Sequence, residues 1–170
     1  MSARRAALVL VLAGLAGCTP TPGGRGGADA SVAATHAAVR ERLDLEDRQA
    51  FDDAMRGFIA APSGVVRDAA GEVIWDFAAF DFVDGEVPPT VNPSLWRQAR
   101  LNHHAGLFKV TDRIWQLRGF DIANLSLIEG DTGWIVVDPL TSRETAAAAM
   151  AFARQHLGDR PVSAIVYPHG

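Results

Sequence analysis

The chain has 170 residues, 48% of them apolar, with 16 basic residues against 20 acidic ones and a formal charge of −4 at neutral pH. That is enough for one hydrophobic core and too little for two. An acidic chain with no Lys/Arg cluster argues against nucleic acid, and against electrostatic adhesion to anionic lipid, as partners.

The N-terminus reads as an export signal over 1–17. Arg4 and Arg5 form a basic start, Ala6–Ala13 is an apolar run too short to span a bilayer, and Leu15-Ala16-Gly17-Cys18 closes it with small residues and a cysteine. The last four resemble a bacterial lipobox, in which the cysteine is acylated and becomes the first mature residue. This predicts lipidation at Cys18, export, and a membrane anchor on the periplasmic side. The alternative is an ordinary secretory signal with an incidental cysteine. Cys18 is the single cysteine, so no intramolecular disulfide forms. Loss of Arg4 and Arg5 with the signal leaves 14 basic residues against 20 acidic, a net charge of −6. Residues 18–30 are rich in Pro, Gly and Ala, cannot bury enough surface to fold, and read as a flexible tether.

Residues 31–43 suggest a short helix. From Asp44, the recurrence of Leu45, Phe51, Met55, Phe58 and Ile59 at three- and four-residue steps predicts an amphipathic helix. Asp44 or Asp47 would cap it, and Pro62-Ser63-Gly64 would end it. Val65–Val66 and Val73–Trp75 read as a hairpin turned by Asp68-Ala69-Ala70-Gly71. After Pro93, Ser94 is the expected cap of a helix running to about Asn102.

Residues 114–117, 125–128 and 134–137 predict three strands, the last two joined by Glu129–Gly133 as an antiparallel hairpin. Thr141-Ser142-Arg143-Glu144 fits a capping box for an alanine-rich helix to His156, with Gly158 as its stop. Val162–Tyr167 then reads as an apolar strand buried on both faces. Strand, helix and strand in this order form a βαβ unit, which places 134–137 and 162–167 in parallel. The fold class is therefore α/β, with a mixed sheet and helices outside it.

No nucleophile motif, P-loop or Cys-x-x-Cys is present, and no catalytic residue is assigned. His36 is expected to be a solvated surface residue. His103 and His104 are neighbours whose side chains diverge on a helix, which disfavours a shared ion. His156 sits where a helix C-terminus favours a partly charged ring. His169 differs because it follows a strand at its C-terminal end, where α/β sheets form their active-site crevice. It is the single candidate metal ligand, although a catalytic zinc takes about three protein ligands. Asp138 ends a strand on the same side of the sheet and could serve a site or cap its loop.

The run Asn124–Leu140 (NLSLIEGDTGWIVVDPL) resembles the opening strands of metallo-β-lactamase-fold hydrolases, and in particular the linear alkyl sulfatases. Asp47–Ala60, Val91–Asn102 and Gly106–Asp112 agree with that branch. The resemblance implies that 31–112 is an alkyl-sulfatase-type N-terminal region and that 113–170 begins a metallo-β-lactamase-like domain, truncated after its first βαβ unit. It also implies hydrolysis of alkyl sulfate esters to alcohol and sulfate, with two zinc ions held by a His-x-His-x-Asp-His motif and later ligands. His169 stands where the first motif histidine falls, after Pro168 where the family usually has a small polar residue. The rest of the motif, a helical dimerisation region and a C-terminal lipid-binding-like domain are not in the 170 residues, so the chain is expected to be an inactive N-terminal fragment that binds no zinc. A non-catalytic lipid-anchored binding module and another metallo-β-lactamase-fold hydrolase are the alternatives.

Overall fold

A computed structural model describes residues 27–169; the expected export signal, Cys18, most of the expected tether and Gly170 lie outside the described residues. The first helix, α1 (Ala30–Arg42), begins at the last residue assigned to the tether, because Asp29 caps it by accepting from the backbone N–H groups of Ser31 and Val32 at 2.8 and 3.1 Å. His36 on this helix is buried, not solvated: its Nδ1 lies 3.2 Å from the Pro89 carbonyl oxygen. The burial comes from the extended Val87-Pro88-Pro89 segment lying against the helix.

The long amphipathic helix expected from Asp44 is cut short. It is one and a half turns, α2 (Gln49–Ala54), and Phe58–Ala60 form a strand, β1. Gly57 is the reason. It adopts φ +74°, and its carbonyl accepts from the Lys109 N–H at 2.7 Å, which turns the chain out of the helix and onto the sheet. Phe58 and Ile59 thus belong to strand pairing rather than to a helical face. The hairpin β2 (Val65–Arg67) and β3 (Val73–Asp76) forms as expected, its turn held by Asp68, which accepts from the N–H groups of Ala70 and Glu72, each at 2.9 Å. Helix α3 (Pro93–Asn102) is capped by Asn92, not Ser94: the Asn92 side chain accepts from the Ser94 N–H at 2.9 Å and Pro93 fills the first helical position.

Five further strands complete the main sheet: β4 (Gly106–Thr111), β5 (Ile114–Arg118), β6 (Leu125–Glu129), β7 (Trp134–Val137) and β8 (Val162–Val166). The six-stranded order is β1-β4-β5-β6-β7-β8, antiparallel throughout except for the parallel pair β7–β8. Helix α4 (Arg143–Leu157) connects that pair, and Gly158 ends it with φ +88°. Alternation along β6 and β7 buries Leu125, Leu127, Trp134 and Val136 on the face that Ala149 and Ala153 of α4 cover. Small residues on the helix let it approach the sheet closely. A chain of rings, Phe77 to Phe120 at 5.1 Å and Phe120 to Phe152 at 5.4 Å, ties the hairpin's exit to α4.

Strand β8 is not buried on both faces as its composition predicts. All five of its residues are exposed, and among the described residues it is the last strand of the sheet, next to β7. Among the described residues, no helix is long and apolar enough to cross a membrane.

Candidate functional site

Register fixes which residues share the rim of the sheet. Leu117 faces Leu125, Ser126 faces Val137, and Val137 faces Val166. The segments just beyond that row, Arg118–Asn124, Asp138–Thr141 and Tyr167–His169, therefore stand side by side along one end of the sheet. This is the end at which α/β sheets place their ligands.

Asp138 and His169 meet there. The imidazole Nε2 of His169 lies 3.9 Å from Asp138 Oδ2, with the histidine exposed and the carboxylate largely covered. Asp138 is held from both sides, its N–H donating to the Val166 carbonyl at 3.0 Å and its Oδ1 accepting from the Leu140 N–H at 3.1 Å. Two of three successive non-glycine residues here are left-handed, Asp138 at φ +61° and Leu140 at φ +68°. Aspartate tolerates that conformation better than most residues, whereas for leucine it costs on the order of 1–2 kcal/mol. Leu140 is held in place by packing against the core.

The loop has a second restraint, Asp121. Its buried carboxylate accepts from the Thr141 N–H at 3.0 Å, the Thr141 hydroxyl at 2.7 Å, the Thr145 hydroxyl at 2.7 Å and the Ile122 N–H at 2.6 Å. Burial pushes this carboxyl up, but the hydrogen bonds from Thr145, Thr141 and Ile122 outweigh it and hold the group below its ordinary value. Asp121 thus joins the β5–β6 loop to the first turn of α4. The expected capping box is replaced accordingly. Thr141 is occupied by Asp121, Ser142 caps the helix by accepting from the Thr145 N–H at 3.0 Å, and Glu144 pairs with Arg143. Nothing in the sequence around Phe120-Asp121 marks this role, because its partners lie 20 and 24 residues away.

The remaining histidines do not join His169. His103 lies 3.3 Å from Asp81. His104 beside it has its basicity lowered by burial, and further by His103 and Arg100. His156 stacks on Phe152 at 4.5 Å. Among the described residues, no three His, Cys, Asp or Glu side chains gather into a metal-binding group. His169 and Asp138 offer two donors where a catalytic zinc takes about three, so the described residues alone do not fit that ion. Cys18 lies outside the described residues.

A sequence profile described as the Metallo-beta-lactamase superfamily matches residues 118–170. The (R)-specific secondary-alkylsulfatase of a Pseudomonas species is 47% identical over 84% of this chain. A linear primary-alkylsulfatase, also from Pseudomonas, is 43% identical over 83% of it, and the alkyl/aryl-sulfatase BDS1 of Saccharomyces cerevisiae is 41% identical over 77%. The solved structure of the stereoselective inverting sec-alkylsulfatase Pisa1 from Pseudomonas superposes with a TM-score of 0.78 at 47% identity, over 85% of this chain and 23% of that one. Over the part that aligns, the chain is similar to alkylsulfatases, and its residues 118–170 match the metallo-β-lactamase superfamily profile. The chain spans about a fifth of the length of the curated relatives it matches, 21–22%. The mixed α/β sheet described above is the corresponding part of that fold.

Proposed function

We propose that this chain is part of a sulfuric ester hydrolase that cleaves alkyl sulfates of the dodecyl sulfate kind to alcohol and sulfate, and that the 170 residues by themselves are inactive. The carrying observation is the identity of 41–47% to three alkylsulfatases, which extends through the N-terminal helices and hairpin as well as the sheet. The placement of His169 and Asp138 on one rim supports it. In this reading the rim faces the sulfate ester, Asp138 orients the His169 imidazole, and His169 serves as one zinc ligand whose companions lie outside the described residues. Zinc would supply the activation of water. In the same reading the lipobox-like Cys18 carries a lipid anchor on the periplasmic side of a bacterial membrane, and dimerisation belongs to the longer enzyme.

The test compares the 170-residue chain with the reading frame extended past codon 170, each assayed for bound zinc and for sulfate release from dodecyl sulfate. Zinc and sulfate release are expected from the extended product alone. Activity in the short chain would refute its inactivity, and an extended product with neither property would refute the alkylsulfatase assignment. Anchoring is read separately: Cys18→Ala should move the protein from the membrane to the soluble fraction.

A further inference from the structure

Three arginines of the layer before β4 converge on one ring. The guanidinium carbons of Arg97 and Arg100 on α3 and of Arg48 at the start of α2 lie 5.2, 5.3 and 5.8 Å from the centre of Phe51. Like charges gathered this closely repel. The chain does not lack counter-charges, with 20 acidic residues against 16 basic ones. Even so, among the described residues Arg48 and Arg100 have no ion-pair partner, and Arg97 has Asp47 alone, at 3.8 Å. The Arg97 side chain is only 20% exposed and donates to the Asp47 carbonyl through one terminal nitrogen, while its Nε is buried with no acceptor. A buried donor on a charged group calls for a partner. Helix ends explain the cluster only in part. A cation suits the last turns of α1 and α3, where Arg40 and Arg100 stand, but Arg48 sits against the positive end of α2 and makes no cap bond there.

These three arginines and Arg40 line a cavity of about 660 Å³, with Phe51 and Trp96 among its apolar lining. The volume falls in the range of small-molecule sites, roughly 300–1,000 Å³. Three carboxylates also line it, those of Asp44, Glu46 and Glu86. All three residues are exposed, none pairs with an arginine among the described residues, and Asp44 accepts instead from the Glu46 N–H at 3.1 Å. We infer that this cavity is a site for a tetrahedral oxyanion, sulfate or phosphate, either free or as the head of a larger molecule. It shares no lining residue with the rim that carries Asp138 and His169, and it stands whether or not the sulfatase reading does. A guanidinium offers paired N–H donors in a planar fork that fits two oxygens of such an anion, and it stacks on an aromatic face. Phe51 thus holds the arginines by their faces and leaves their N–H edges for the ligand. A bound anion would relieve the repulsion among them.

The experiment is calorimetric titration of the 170-residue chain with sodium sulfate and sodium phosphate, at an ionic strength held constant with sodium chloride. Far-UV circular dichroism confirms that each variant keeps the fold. One sulfate per chain is expected, displaced by phosphate. Arg48→Gln and Arg100→Gln should each weaken sulfate binding about tenfold, the loss of a charge-assisted hydrogen bond. Arg48→Lys keeps the charge without the fork and should weaken it at least about threefold. Arg56→Gln removes a nearby arginine that already pairs with Asp53, and should change nothing. Hexyl sulfate, below its micellar concentration, separates the two sources. Affinity equal to that of sulfate assigns the site to the free anion, and tighter binding that Arg48→Gln abolishes assigns it to the head of a larger molecule. Titrations with no heat beyond that of chloride overturn the inference. So does binding that survives both glutamine substitutions, or a loss in Arg56→Gln as large as in Arg48→Gln, since either would reduce the effect to diffuse charge.

Discussion

Among the described residues, eleven apolar side chains besides Pro93 are buried, and ten of them lie between Leu107 and Ala153; only Val83 and Pro93 precede them. The sheet and α4 are held by a shared core. The layer before β4 is held by individual contacts instead: His36 to the Pro89 carbonyl, Trp75 to the Gly119 carbonyl, Arg97 to the Asp47 carbonyl at 2.7 Å, and Phe58 against Phe108 at 5.5 Å between ring centres. The candidate site belongs to the first kind of region. Groups that must hold fixed positions need the support that a shared core supplies.

The sharpest test of this contrast is Leu127→Ala. Leu127 is fully buried at the centre of the core, and its truncation should cost about 3–4 kcal/mol through lost burial plus a cavity. Urea unfolding followed by circular dichroism should show one transition moved far to lower denaturant. A loss below about 1 kcal/mol would mean that α4 does not seal this face.

Asp121 comes next. Asp121→Ala strands two threonine hydroxyls and two N–H groups, and should cost about 3 kcal/mol at neutral pH. Because the folded carboxyl lies below its ordinary value of 3.8, its contribution is complete above that pH and is lost as pH falls through the depressed value. The wild-type chain should therefore lose stability in this acidic window relative to Asp121→Asn, which cannot titrate there. Parallel pH profiles for the two proteins would remove Asp121 as the restraint on the Asp138 loop.

Gly57→Ala is a smaller effect at the junction itself. A Cβ at this position would come within 2.0 Å of the Lys109 carbonyl oxygen, and φ is +74°. Strain and displacement together should cost about 2 kcal/mol, with protection from hydrogen exchange lost first in β1 and β4. Unchanged exchange there would show that β1 does not dock on β4.

These positions also mark where sequence stops speaking. Period-two and apolar runs announced β5 to β8, and the Ser/Thr-rich start and Gly158 announced α4, because each signal is local and repeated. Phe51, Met55, Phe58 and Ile59 fit a helical period equally well, and one glycine decided against it by meeting a strand fifty residues on. Asp138 and His169 could be proposed from their places at strand ends. Asp121 could not, since a buried carboxylate is recognisable only from the distant donors that surround it.

The smallest effect expected is Phe51→Leu in the looser layer. Three guanidinium groups surround this ring, Arg97 at 5.2 Å, Arg100 at 5.3 Å and Arg48 at 5.8 Å from its centre. Three separate attractions of this kind would not add, because the cations repel one another and Arg97 already donates to Asp47. Leucine keeps the apolar bulk and removes the ring face, so the loss should be that of a single exposed cation–π pair, about 0.5–1 kcal/mol. It should also stay local: amide exchange should quicken in α2 and α3 while β6 and β7 keep their protection. If protection fell equally in all four elements, the arginine cluster would be part of the same cooperative unit as the core, and the division between the two regions would fail.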